Sequence, residues 1–212
     1  MYLTIKYLTS KTIAMKHVVF LFICVLFSLF TFNSSAQEND RYFPGGIISL
    51  NNDTIKANIL LEHITKMQKK VRFIDAGGKK KSFKPTMING YFLQTEGGKM
   101  VFESRSDITL SAFPSKKGNF YYRVSNDIYP LYYFVGTKMV NTGIESEMEE
   151  VKSYLIKMNM RWYEFTEESY KDCVKLFSMN RSLVNDIEND VYQFEDFPEI
   201  VHRYCVSLST EQ

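Results

Sequence analysis

Hydrophobic and polar positions alternate along residues 54–61, with Ile55, Ala57, Ile59 and Leu61 set against Thr54, Lys56 and Asn58. A period of two predicts a strand with one buried face. The run Gly46-Ile47-Ile48-Ser49-Leu50 precedes it, and Asn51-Asn52-Asp53 between them is turn chemistry, so the pair predicts a hairpin. A second hairpin places Val71 and Phe73 inward and turns at Ala76-Gly77-Gly78. A third sets Tyr91-Phe92-Leu93 and Met100-Val101-Phe102 about Glu96-Gly97-Gly98. Residues 119–124 and 128–135 follow, joined by Ser125-Asn126-Asp127. Short strands at this spacing predict an antiparallel β sandwich or small barrel over residues 37–140. Residues 128–135 break the alternation, because Tyr129, Tyr132, Tyr133 and Phe134 make both faces aromatic. Such a strand is either covered on both sides or is an interaction strand awaiting a partner, and Pro130 points to an edge or a bulge.

The period then changes. Residues 141–165 read as an acidic loop, solvated over 137–150, with a possible last hairpin in Tyr154, Ile156 and Met158 returning through 161–165. From Thr166, a candidate N-cap, Tyr170, Cys173, Val174 and Phe177 recur at helical spacing. Leu183, Val184 and Ile187 form a shorter patch. Phe197, Ile200, Val201, Tyr204, Cys205 and Leu208 make a long stripe, opened by Pro198 and an Asp196/Glu199 capping box. The expected fold class is α+β: an antiparallel β sandwich or barrel followed by two or three C-terminal helices, with residues 166–212 as a helical tail packed on the sheet.

The first 36 residues carry a different pattern. Val18–Phe32 is uncharged and apolar, Lys6, Lys11 and Lys16 precede it, and Ser34-Ser35-Ala36 follows. These are the three regions of a secretory signal peptide, with cleavage between Ala36 and Gln37 and Met15 as an alternative start. An uncleaved anchor is the alternative, but fifteen apolar residues fall short of the roughly 20 that span a bilayer. No transmembrane span is expected in the mature chain. The expected location is outside the cytoplasm: periplasmic, outer-membrane-associated or extracellular. Charge is segregated in what remains. Residues 37–140 carry 16 basic and 9 acidic side chains, whereas residues 141–212 carry 7 and 15. Either the two halves neutralise one another, or a cationic face meets anionic glycolipid or polysaccharide. For an exported chain nucleic acid is not the expected partner.

Asp53-Thr54-Ile55-Lys56 after a two-strand opening, followed by Asp172-Cys173, Ile187-Glu188-Asn189, Ile200-Val201 and Tyr204 near the end, resembles a family of uncharacterised secreted envelope proteins of Gram-negative bacteria. The resemblance implies export and a β domain with a helical tail, and it implies no reaction. Where that family usually carries glycine, before Asp-Thr and after the Lys, this chain has Asn52 and Ala57.

Candidate chemistry is sparse. Cys173 and Cys205 both lie on apolar stripes. They are a possible disulfide, closing a loop of about 30 residues and contributing roughly 3–4 kcal/mol, or two buried thiols acting as small hydrophobes. His202 precedes Cys205 by three positions, but no second pair at ligand spacing joins them, so no metal or cofactor is expected. Gly77-Gly78-Lys79 and Gly97-Gly98-Lys99 lack phosphate-loop spacing and read as turns. Lys79, Lys80, Lys81 and Lys84 form a basic hairpin tip. Asp53-Thr54-Ile55 resembles an O-glycosylation acceptor, with Thr54 as the modified residue. Together these features predict an exported binding or structural module. A small secreted hydrolase with an unrecognised site and an accessory subunit of an outer-membrane assembly are the alternatives.

Overall fold

The computed structural model describes residues 41–110, 118–141, 143 and 146–210. The expected leader and its Ala36–Gln37 cleavage point lie outside the described residues. The hairpins form where turn chemistry places them. β1 (Tyr42–Ile48) and β2 (Thr54–Leu60) are joined through Asn52 at φ +68°, a left-handed conformation that asparagine tolerates and glycine prefers. The Ser49 hydroxyl accepts from the backbone N–H groups of Asn51 and Asp53, and the Asn89 side-chain amide donates to the Leu50 carbonyl. β3 (Val71–Ile74) and β4 (Lys80–Phe83) turn on the Asp75 carboxylate, which accepts from the N–H groups of Gly77 and Lys79. β5 (Gly90–Thr95), β6 (Gly98–Arg105) and β7 (Asn119–Ser125) follow, then β8 (Leu131–Asn141), β9 (Ser146–Met158) and β10 (Arg161–Thr166). Ile55, expected inside, is half exposed beside the first turn, although its partner Ile47 is fully buried.

The strands do not divide into a sandwich or close into a barrel. They form one open antiparallel sheet in the order β10-β9-β8-β7-β6-β5-β1-β2-β3-β4. The cause is long-range: β5 pairs with β6 and also with the free side of β1, merging two meanders into one sheet. That junction requires a bare backbone, because a Cβ on Gly45 would lie 2.1 Å from the Phe92 carbonyl oxygen.

The acidic segment is strand rather than loop. β8 and β9 pair continuously from Leu131↔Ile156 to Asn141↔Ser146. β9 turns into β10 through Asn159 and Met160, at φ +49° and +65°, which is the two-residue reversal that suits strand twist. Pro130 lies just before β8, which is an interior strand and not an edge; the irregularity falls on β7, where the register shifts between Arg123 and Ser125.

Helical segments are short until the end. α1 (Ile64–Met67) links β2 to β3. Thr166 caps no α-helix: Tyr170–Lys175 is a 3-10 turn, and the Ser169 hydroxyl accepts from the Thr166 N–H. α2 (Arg181–Glu188) is capped by the Asn180 side chain. α3 (Phe197–Thr210) has its capping box one turn earlier than expected, with Asp196 accepting from the Gln193 N–H.

Three apolar clusters hold the sheet. Ile47, Ile59, Phe73, Tyr91, Phe102 and Phe120 form one across β1–β7. α2, α3 and the 3-10 turn form another, laying Phe177, Leu183, Phe197 and Val201 against Leu131, Ile156 and Phe165. Tyr122, packed on the first, stands directly opposite Tyr133, packed on the second, so both clusters share one face of the sheet. The third, with Tyr121, Tyr132, Phe134 and Leu155, occupies the other face. β8 is apolar on both sides because it lies between two layers.

Gln68 sits between the first two clusters, 1% exposed. Past Tyr122↔Tyr133 the pairing of β7 with β8 stops. Gln68 fills the gap: its backbone carbonyl accepts from the Phe120 N–H at 2.8 Å. Its side-chain amide donates to the Tyr133 carbonyl at 3.3 Å and accepts from the Val135 N–H at 3.2 Å. The side chain does for β8 what a peptide unit of β7 would have done. Tyr91 holds α1 alongside, donating its buried hydroxyl to the Met67 carbonyl at 2.8 Å.

Gln68→Leu leaves two buried backbone groups of β8 unmatched, and each such group costs about 1–3 kcal/mol. A lower urea midpoint with an unchanged m-value is the expected result. Met160→Gly removes a side chain from a left-handed position and raises the unfolding free energy by about 1 kcal/mol or less, the residual after glycine's own entropic cost, read as a higher urea midpoint.

Candidate functional site

The third cluster is overlaid by polar groups from five strands and the loop after β6. The Glu103 carboxylate accepts from Arg123 Nη1 at 2.7 Å, from the Tyr132 hydroxyl at 2.8 Å and from Arg105 Nη2 at 3.0 Å. The Arg105 guanidinium also lies over the rings of Tyr132 and Trp162, and Trp162 Nε1 donates to Asp107 Oδ2 at 3.0 Å. Lys157 reaches the same oxygen at 3.4 Å. Burial pushes the Tyr132 phenol above its ordinary range. With three donors on one carboxylate, this group clamps β6, β7 and β8 together.

The open chemistry lies at the far end of β8 and β9. β10 ends at Thr166, opposite Ser153. β7 stops pairing at Tyr133. From Val135↔Lys152 to Asn141↔Ser146 the two strands therefore form a ribbon whose outer edges are paired with no other strand among the described residues. Lys138 bonds Glu149 at 3.3 Å across it, and Met139 stands opposite Met148, 70% and 64% exposed. Beside β9, where a longer β10 would run, is a cleft of about 440 Å³. Glu149, Glu150, Glu167 and Glu168 line it with Lys138 and Lys152, so carboxylates outnumber amines. Glu150 also has His63 Nε2 3.9 Å from its carboxylate. A free strand edge with acidic walls is suited to an extended, positively charged segment.

The residues singled out from sequence fall elsewhere. Tyr132 and Phe134 are buried in the third cluster, Tyr133 packs against the helical layer, and Tyr129 stacks on Tyr204 with centroids 6.4 Å apart. The aromatic strand is covered by the protein itself. Thr54 is exposed at the start of β2, on the rim of a hollow of about 520 Å³ that also contains Lys56, Asn58, Ile74 and Phe92. His202 faces Asp127 at 3.4 Å, whereas Cys205 points into the core, so the two form no pair. Among the described residues, no group of three or more His, Cys, Asp or Glu side chains converges. Lys79, Lys80 and Lys81 lie at or on β4, a terminal strand, with Lys81 2.7 Å from Asp75; that ion pair holds the Asp75 carboxyl below its ordinary value.

Cys173 and Cys205 share the helical cluster as free, buried thiols. Burial pushes the Cys173 thiol up to about 12 and raises that of Cys205. Neither is a nucleophile at neutral pH. Maleimide labelling of the native protein at pH 8 should therefore leave both unmodified over a period in which guanidinium-unfolded protein reacts fully. Peptide mapping of the adducts reads the result.

No protein-family model, curated protein or solved structure matches this chain.

Proposed function

We propose that this protein is an exported binding or structural module of the cell envelope, working by strand recruitment at the β8–β9 ribbon. Export is supported by the leader pattern of residues 1–36, and by the resemblance to secreted envelope proteins carried by Asp53–Lys56 and the C-terminal residues. The observation that carries the mode of action is the ribbon itself, with seven residue pairs and neither outer edge paired with a third strand among the described residues. Exposed edges of this kind bind extended segments through main-chain hydrogen bonds, and flanking side chains select among them. The acidic walls of the cleft select for basic segments.

The test is cross-linking in intact cells. Single cysteines replace Met139 or Met148 on the ribbon, or Met179 or Val191, which are comparably exposed but lie off it. A heterobifunctional maleimide–succinimidyl ester, which couples the introduced thiol to amines on a neighbour, should give specific adducts from the ribbon positions and none from the other two. The intact mass of the recovered protein should begin at Gln37. Adducts at all four positions, or none at Met139 and Met148, would sink the mode of action, and a mass retaining the leader would sink cleavage.

A further inference from the structure

We propose that the ribbon's occupant is a second copy of this chain, presenting its edge strand β4. The inference rests on the reading of the ribbon as the recruiting element and names its partner. β4 is one of the two terminal strands of the sheet, the other being β10, and its outer edge is paired with no strand among the described residues. Lys79, Lys80, Lys81 and Lys84 fall within six residues there. The free edge of β9 carries Glu147, Glu149 and Glu150, and Glu167 and Glu168 face it across the cleft.

The charge also alternates compatibly. Lys81 stands opposite Phe73 and so lies on the core face of β4, whereas Lys80, opposite Ile74, lies on the other face. Glu149 and Glu150, being neighbours in a strand, likewise project to opposite faces of the ribbon. An antiparallel register that sets Lys80 against Glu150 sets Lys81 against Glu149, so each face acquires a cross-strand ion pair.

Lysines on an edge normally keep like edges apart. Here they exclude pairing of β4 with a second β4, and the glutamates exclude pairing of ribbon with ribbon. Between these two edges only the unlike pairing remains. The contact is therefore heterologous, each copy using one edge as donor and the other as acceptor, and it propagates into open chains or closes into rings. A short strand pair bridged by exposed charges is weak, concentration-dependent and sensitive to salt, because the screening length falls from about 10 Å at 0.1 M to about 3 Å at 1 M.

Sedimentation velocity of the purified protein tests this. At about 0.1 M salt the wild type should form species larger than the monomer that grow with concentration, and these should dissolve at about 1 M. Two charge-reversed variants follow. One carries Lys79→Glu, Lys80→Glu and Lys84→Glu, retaining Lys81 because it holds Asp75 in the hairpin. The other carries Glu147→Lys and Glu150→Lys, retaining Glu149 because it bonds Lys138 and stands against the retained Lys81. Each alone should associate at least tenfold more weakly than wild type, and an equimolar mixture should recover association, since every edge then meets its opposite. Circular dichroism establishes that both variants are folded. A wild type that stays monomeric at low salt, variants that associate as wild type does, or folded variants whose mixture stays monomeric would each overturn self-association. If the wild type is monomeric while Met148→Cys still cross-links in cells, the partner is another protein and the ribbon's role stands. Absence of ribbon cross-links removes both readings.

Discussion

The sheet depends on one side chain taking the part of a backbone. β7 and β8 pair over three positions and then diverge, exposing the Tyr133 carbonyl and the Val135 N–H in an apolar interior. Unmatched groups there would cost more than an ordinary hydrogen bond returns. The Gln68 amide carries a donor and an acceptor at the spacing of a peptide unit and satisfies both, while its own carbonyl engages Phe120. Only Gln and Asn have this pairing of functions in one side chain, and Gln has the longer reach. α1 exists to deliver it, anchored by the Tyr91 hydroxyl on Met67. The divergence that Gln68 repairs is also what frees the β8–β9 ribbon from the strands before it.

Charge segregation acquires a geometric meaning in this arrangement. Most of the ion pairs that stabilise the fold join near neighbours: Lys81 with Asp75, Arg123 with Glu103, Arg203 with Asp186. Lys138–Glu149, Lys157–Asp107 and two histidine contacts cross between the basic and acidic halves, and all four are longer than 3.2 Å. The basic excess gathers toward one end of the strand order and the acidic excess about the ribbon toward the other. The two halves do not simply cancel face to face.

Much of the fold was legible because local chemistry dictated it. Asn51-Asn52-Asp53, Ala76-Gly77-Gly78 and Glu96-Gly97-Gly98 each allow only a tight reversal, and the stripe from Phe197 to Leu208 has no good strand reading. Three features lay beyond that logic. β9 was hidden because Glu147, Glu149 and Glu150 put charge on both faces of the ribbon, so no hydrophobic period marks it as strand. The merging of two meanders at Gly45 and Leu93 is a register between residues nearly fifty positions apart, for which neither segment carries a local sign. Tyr170, Cys173 and Phe177 are spaced as an α-helix would space them, yet a 3-10 turn also brings i and i+3 to one side. The site was the least legible part. Gln68 stands beside Lys69 and Lys70 and reads as solvent-facing, and a free strand edge is a property of what fails to pair.

Strand order also permits an N-to-C order of assembly as the chain emerges. The partners of β1 through β6 all lie before Asp127, and β7 has one of its two there, so those seven strands can pair without any residue of the acidic half. At that stage β7 is the growing edge, and the Gln68 amide stands beside it with its donor and acceptor still turned to water. β8 arrives next, finds three positions of strand to pair with and then that amide, and so meets a template whose last rung is a side chain. The α2–α3 layer, translated last, has a docking surface only once β8–β10 have added to the sheet.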